Sequence, residues 1–235
     1  MLLAPSRLDF WFVTHLAQFL DRSAFCDRAV QSAIAHNVLG GLAYAVTLFV
    51  FWTEGAIREE VETRQRILTI LVATGLAILL AIIAGRLISW PPPARQPALE
   101  GLYASYIEPN PNTNCFPSQS TAVYSAVAAG IYSLHKRLGW ILWIGVVVLV
   151  GLPRIYVGGH FPTDVLVGLA LGIAAYTVVR HLFETRYIIR MERFFRHRTR
   201  VRVVYEVLVF CWILEMAVGF REMLWVKNCI RYLTG

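Results

Sequence analysis

Three residues with the chemistry of phosphoryl transfer lie close together between two long apolar stretches of this chain. Arg154 is followed six residues later by His160, and Asp164 follows four residues after that. A guanidinium binds phosphate oxygens through a rigid fork of donors, and an imidazole can attack phosphorus or move a proton. A nearby carboxylate fixes the imidazole tautomer and stabilises the cation that forms. Because charge at a membrane-helix boundary is costly, this triplet indicates a functional site.

A second group of polar residues lies in the longest loop between apolar stretches. The prolines at 91–93 cannot continue a helix and predict an extended turn. Further along, Pro117 and Ser118 have the pattern of a helix start, where free backbone N–H groups favour an anion. We therefore expect a phosphate pocket built from this loop and the triplet. The residues predicted to bind phosphate in it are Arg86, Arg95, Ser118, Gln119 and Ser120.

The elements that must position these residues are membrane helices. The chain has 235 residues, of which 57% are hydrophobic, and its mean hydropathy is +0.56. Several stretches approach the ~20 apolar residues that cross a bilayer. The sequence therefore predicts an all-α fold, a polytopic membrane bundle of six transmembrane helices plus an N-terminal amphipathic helix. The predicted crossings are 33–53, 66–88, 117–134, 139–157, 161–182 and 201–224.

The distribution of positive charge predicts the orientation of this bundle. The net charge of +7 would indicate nucleic acid in a soluble protein, but here the basic residues cluster in loops on one side of the apolar stretches. We expect these loops, including a basic segment at about 183–200, to lie in the cytoplasm and to contact membrane lipids. No nucleic-acid partner is expected. The site then faces the periplasm from a bacterial inner membrane.

The remaining segments carry weaker signals. Residues 8–21 are aromatic on one side and polar on the other, which is typical of an interfacial helix, with a short seventh crossing as the alternative. Trp90 and Tyr103 are typical of interfacial aromatics. The four cysteines show no metal-type spacing. Without repeats or low-complexity tracts, residues 1–235 are interpreted as one domain; the oligomeric state is left open.

These motifs resemble those of the type 2 phosphatidic acid phosphatase superfamily, the integral-membrane lipid phosphatases related to haloperoxidases. The third family motif is Ser-Arg, five residues, His, three residues, Asp, and this chain matches it except for Pro153 in place of serine. The second motif, Pro-Ser-x-His, is present at 117–120 with Ser120 in place of histidine. The first, Lys, six residues, Arg-Pro, has only a loose relative around Arg86 and Arg95. The resemblance covers about residues 66–182.

The resemblance implies a role for each matching residue. His160 is the expected nucleophile, which forms a phosphohistidine, and Asp164 is expected to orient it. Arg154 and Arg95, with Arg86, are expected to neutralise the phosphoryl oxygens, while Ser118 and the backbone after it hold one oxygen. Charge stabilisation of this kind is the main requirement of phosphoryl transfer. No metal and no other cofactor is expected.

Ser120 is the most informative departure from the family pattern. The family's histidine at this position acts as a general acid on the leaving group, which is worth roughly 10²–10⁴-fold. Phosphate leaving from a diphosphate needs a proton much less than an alkoxide leaving from a monoester. We therefore expect a lipid diphosphate substrate, such as a polyprenyl diphosphate. Two alternatives stay open: a lipid phosphotransferase that uses the same histidine, and a catalytically inactive protein that binds a phospholipid.

Overall fold

The structure of this chain is a computed structural model, and the regular elements in the part that it describes are helices. The described residues are 5–20, 22–23, 25, 27–28, 30, 38–58, 60–99, 101–103, 114–183 and 199–217, and they contain helices and turns but no strand. The helices are α1 (Arg7–Ala17), α2 (Val38–Ile57), α3 (Val61–Leu87), α4 (Gln119–Leu134), α5 (Lys136–Tyr156), α6 (Pro162–Phe183) and α7 (Thr199–Ala217). The predicted all-α fold is therefore confirmed.

Helices α2 to α7 occupy the six stretches that hydropathy selects, with ends shifted by a few residues. By length and composition, three of them could cross a membrane, namely α3, α5 and α6, and a shorter apolar stretch runs over Gly41–Ile57. Residues 33–37, 218–224 and most of the basic segment 183–200 lie outside the described residues. The number of crossings therefore belongs to the proposals below.

Helix α4 lies at the centre of the bundle and packs against α3, α5 and α6. Small residues allow its closest approach to α6. A Cβ added at Gly168 would come within 2.5 Å of the Ser118 carbonyl oxygen, and one added at Gly172 would overlap Ser125 Oγ. Short contacts between helix backbones are typical of small residues in membrane bundles. This contact brings the first turn of α4 against the first turn of α6, where the motif residues lie.

Helix α5 changes its pitch just before the third motif. Its residues Val146–Gly151 form a π-helical segment, and the α-helix resumes over Leu152–Tyr156. Pro153 lacks an N–H and would crowd a regular preceding turn. The wider π turn accommodates it, and such turns are frequent at functional sites.

The N-terminal helix α1 is docked onto the end of the bundle that carries the motifs. It contacts the end of α5 and the start of α6, and Ser6 and Asp9 close a capping box at its N-terminus. Its 11 residues reach roughly 16 Å at ~1.5 Å per residue, about half of a bilayer core. Helix α1 is therefore too short to form the alternative seventh crossing.

Candidate active site

The turn between α5 and α6 presents His160. Gly158 has a φ of +71°, a left-handed conformation that glycine adopts without strain. This reversal directs the N–H groups of Gly159 and His160 back to the Arg154 carbonyl oxygen, at 2.9 and 3.2 Å. The backbone carbonyl of Arg154 therefore holds the backbone of His160 in place.

The imidazole of His160 is oriented by a backbone carbonyl. Its Nδ1 lies 2.7 Å from the Cys115 carbonyl oxygen. Because a carbonyl oxygen only accepts hydrogen bonds, Nδ1 must donate, and the neutral ring carries its proton there. In this tautomer the free lone pair of the ring is on Nε2, and a nucleophilic histidine requires such a lone pair.

Asp164 lies beside His160 but does not accept that hydrogen bond. Its Oδ2 is 3.7 Å from Nδ1 of His160, beyond hydrogen-bond distance but within ion-pair range. The carboxylate is fully buried and accepts 2.7 and 3.2 Å hydrogen bonds from the Phe161 N–H and the Trp90 indole N–H. Asp164 therefore places a fixed carboxylate next to the His160 ring. The sequence predicts that Asp164 orients this ring, but the hydrogen bond that does so goes to the Cys115 carbonyl.

The loop after α3 forms the wall that holds these groups. Asn114 joins its two ends, because Oδ1 accepts from the N–H groups of Trp90 and Phe116 while Nδ2 donates to the Gly85 carbonyl. The Cys115 N–H donates to the Trp90 carbonyl at 3.2 Å. Burial, and secondarily the Asp164 carboxylate, raise the pKa of the Cys115 thiol, so this thiol stays protonated.

The predicted helix start at Ser118 is confirmed, but the Ser118 side chain does not have the position expected of a phosphate ligand. Ser118 is the N-cap residue of α4, but among the described residues its side chain caps no backbone N–H. Its hydroxyl is fully buried and pairs with Thr121 Oγ1 at 2.8 Å, and its N–H donates to the Asp164 carbonyl. Gln119 is exposed and Ser120 is half-buried. An anion at this end would therefore meet the backbone and residues 119–120, and not the Ser118 hydroxyl.

The three predicted arginines all lie at this end of the bundle, with unequal exposure. Arg154 is half-buried in the last turn of α5. Arg95 is half-buried at the end of a 3₁₀ turn, Pro93–Arg95. This turn docks on the one between α5 and α6, because the Ala94 N–H donates to the Gly158 carbonyl. Arg86 is exposed in the last turn of α3. Arg95 and Arg154 are thus built into the site, whereas Arg86 is at its edge.

Sequence reasoning missed the residues that support the motif from a distance. Trp90 holds Asp164, Asn114 closes the loop, and Asp9 binds Thr163. Tyr103 is buried against Gly158, and this burial raises its pKa to about 12. Trp90 and Tyr103 were expected to be interfacial aromatics, and no local pattern distinguishes that role from the observed one.

The described residues form an all-helical bundle that brings an arginine, a histidine and an aspartate together at one end, a set of side chains suited to binding phosphate oxygens. The sequence profile of the PAP2 superfamily matches residues 66–188. The chain belongs to the PAP2 superfamily, as the motifs indicate.

Individual relatives are similar to parts of the chain. The "Bacitracin transport permease protein BcrC" of Bacillus licheniformis is 32% identical over 55% of this chain and 59% of its own length. An "Undecaprenyl-diphosphatase" of Sulfolobus acidocaldarius is 38% identical over 28% of this chain and 32% of its own. "Phosphatidylglycerophosphatase B" of Bacillus subtilis is 44% identical over 20% and 24%. The chain therefore spans about three fifths or less of these relatives.

A solved structure has the same arrangement of helices. Aquifex aeolicus LpxE superposes with a TM-score of 0.56 at 24% identity, over 76% of this chain and 98% of that one. At this identity the similarity supports the fold alone. It places the described helices in an architecture that a solved structure already has.

Proposed function

We propose that this protein is a membrane lipid phosphatase that uses His160 as its nucleophile. The observation that carries the proposal is the 2.7 Å contact between His160 Nδ1 and the Cys115 carbonyl oxygen. Because Nδ1 donates in that contact, Nε2 is left with the lone pair that would attack phosphorus. The buried carboxylate of Asp164, 3.7 Å from Nδ1, would stabilise the positive charge that the ring gains as the N–P bond forms.

The reaction proceeds in two displacements. In the first, Nε2 of His160 bonds to phosphorus and the bond from phosphorus to the leaving oxygen breaks. In the second, water displaces the histidine, gives up its proton and releases inorganic phosphate. Arg95 and Arg154 neutralise the phosphoryl oxygens in both steps, with Arg86 at the edge of the pocket, and the first turn of α4 supplies backbone N–H groups.

The substrate class follows from Ser120. A serine hydroxyl is too weak an acid to protonate an alkoxide near neutral pH, whereas a phosphate leaving group needs little protonation. A lipid diphosphate, with a polyprenyl diphosphate as the lead, is therefore the preferred substrate. Among the relatives, the one named an undecaprenyl-diphosphatase agrees with this choice, whereas the one named a phosphatidylglycerophosphatase represents the monoester alternative.

Phosphate release from purified protein in detergent tests both parts of the proposal. Polyprenyl diphosphate, polyprenyl monophosphate and phosphatidic acid are compared with EDTA present, and His160→Ala is expected to abolish release. Ser120→His should raise monoester hydrolysis more than diphosphate hydrolysis, while Ser120→Ala, the matched control, leaves the preference unchanged. Equal gains on both substrates would contradict the leaving-group argument. If phosphate is transferred to an added alcohol and no free phosphate appears, the lipid phosphotransferase is favoured. If lipid binds but is not turned over, the catalytically inactive lipid-binding protein is favoured.

The orientation is part of the same proposal. We propose that six helices cross a bacterial inner membrane and that the site faces the periplasm. Arg58, Arg66, Lys136 and Arg137 lie at the end of the bundle away from His160, and basic residues favour the cytoplasmic side. In a variant without the native cysteines, a cysteine at 98 should react with a membrane-impermeant maleimide in spheroplasts, and one at 137 should not. The reverse pattern would invert the topology.

A further inference from the structure

The N-terminal helix α1 contacts the turn between α5 and α6, which carries His160, through one buried carboxylate. Asp9 is 2% exposed, and its oxygens accept four hydrogen bonds. Oδ1 accepts from the Thr163 N–H at 3.0 Å, and Oδ2 accepts from the Thr163 hydroxyl at 3.2 Å. Oδ2 also accepts from the N–H and the hydroxyl of Ser6, both at 2.8 Å. Such a set of donors holds an ionised carboxylate in one place.

We propose that Asp9 is a positioning residue for the turn that carries His160, an inference that rests on the proposed function. The backbone donors at the start of α6 explain why. The Phe161 N–H goes to Asp164 Oδ2, Pro162 has no N–H, and the Thr163 N–H goes to Asp9 Oδ1. Asp9 therefore completes, from 154 residues away, the cap that Asp164 begins, and a negative charge at this helix end is favourable.

The consequence for catalysis is geometric. Asp164 is in the first turn of α6, and its distance from the His160 ring depends on how that turn is formed. Without Asp9, the part-buried Thr163 N–H loses its acceptor and the turn can shift. A displacement of about 1 Å at a reacting group can cost as much as ~100-fold in rate. Asp9 touches neither phosphate nor His160, so its effect must pass through Asp164 and the turn.

Other contacts of the N-terminal segment hold the same turn from both sides. The rings of Phe10 and Phe161 lie 5.4 Å apart, directly after His160. Before His160, the Tyr156 hydroxyl donates to Asp27 Oδ1 at 2.6 Å and lies 3.2 Å from the Phe19 carbonyl oxygen. The segment therefore stays docked when the Asp9 charge alone is changed, which makes a point substitution a clean probe.

The test is steady-state kinetics of the 235-residue protein with Asp9→Asn and Thr163→Val. Asparagine places an NH2 group against donors of Ser6 or Thr163, and valine removes only the Thr163 hydroxyl. For Asp9→Asn we expect kcat to fall roughly 10- to 100-fold, and for Thr163→Val by a smaller factor. KM and the inhibition constant of inorganic phosphate should stay near wild type, because the pocket is intact. In the double variant, the two losses should be less than multiplicative.

Thr14→Val is the matched control, because within the described part of the chain this hydroxyl bonds to the Phe10 carbonyl of its own helix and not to the turn before α6. It should leave kcat unchanged. An unaltered kcat in Asp9→Asn would overturn the inference, as would a fall in kcat matched by an equal fall in the fraction of folded protein. His160→Ala separates the two proposals. If it stays active, the proposed function fails; if it is dead while Asp9→Asn is fully active, only the role of Asp9 fails.

Discussion

The indole N–H of Trp90 donates a 3.2 Å hydrogen bond to Oδ1 of Asp164, across 74 residues of sequence. This contact ties the loop after α3 to the first turn of α6. The same loop supplies the Cys115 carbonyl that orients His160. The imidazole and the carboxylate are therefore positioned by one piece of chain, and a disturbance of Trp90 should reach both.

Trp90→Phe removes this donor and keeps an aromatic ring that can pack on Phe116, whose ring centroid is 4.5 Å from that of Trp90. We expect kcat to fall roughly 10-fold, equivalent to ~1.4 kcal/mol of transition-state free energy, with little change in thermal stability. The measurement is kcat and melting temperature on the same preparation. Trp140→Phe, an exposed residue of α5, is the control. Equal kcat in both variants would show that the indole N–H has no part in the reaction.

Gly158 makes a second prediction, because both its conformation and its surroundings exclude a side chain. Its φ is +71°, and a Cβ would lie 2.8 Å from the Tyr103 ring. Gly158→Ala should therefore lose about 1 kcal/mol to backbone strain and a further ~1–3 kcal/mol to overpacking. Because the turn leads directly to His160, activity should fall with stability. Thermal unfolding and phosphate release measure the two effects.

Gly101→Ala separates strain from crowding. Gly101 also has a positive φ, +94°, but an added Cβ would meet nothing within 4 Å. This variant should show the strain component alone, with activity retained. If Gly101→Ala and Gly158→Ala were equally destabilised, the close contact with Tyr103 would be energetically irrelevant.

The sequence predicts the parts of this site that are local in the chain and misses those that are not. Arg154, His160 and Asp164 lie within one turn and the helix ends beside it, so spacing alone groups them. The helices follow from long apolar stretches. By contrast, the contacts of Asp9 with Thr163 and of Trp90 with Asp164 join residues far apart in sequence. Nothing in the flanking residues marks these partners, because they meet only after the helices have packed.

The predicted role of Ser118 shows a different limit. A serine at a helix start is expected to offer its hydroxyl to a bound anion or to a backbone N–H. The close approach of α6 at Gly168 buries Ser118 completely, so its hydroxyl pairs with Thr121 instead. Which donors remain free at a helix start is therefore decided by the neighbouring helix.

The last prediction concerns the opposite end of the bundle, where Arg64 is buried with 5% exposure. Its guanidinium pairs with Glu206 of α7 and lies 3.9 Å from the ring centroid of Trp52 in α2. The Trp52 indole N–H also donates to Glu206, at 2.8 Å. One cation thus joins three helices. Arg64→Ala removes the nearer cation from the partly exposed Glu206 carboxylate and leaves Arg202 at 4.0 Å. It should cost about 1–3 kcal/mol of unfolding free energy, less than breaking a fully buried pair would.

Because this cluster is at the far end of α3 from the loop that supplies Cys115, Arg64→Ala should lower the melting temperature and leave kcat of the folded protein unchanged. Arg58→Ala is the control, since Arg58 pairs with Glu54 on the surface, where both side chains are largely exposed, and such pairs contribute little. If the melting temperature falls equally in both variants, the buried Arg64 contributes no more stability than the exposed Arg58, which would contradict the prediction. If kcat falls in Arg64→Ala while the protein stays fully folded, the two ends of the bundle are coupled. Helix α3 would carry that coupling, because it contains both Arg64 and Arg86.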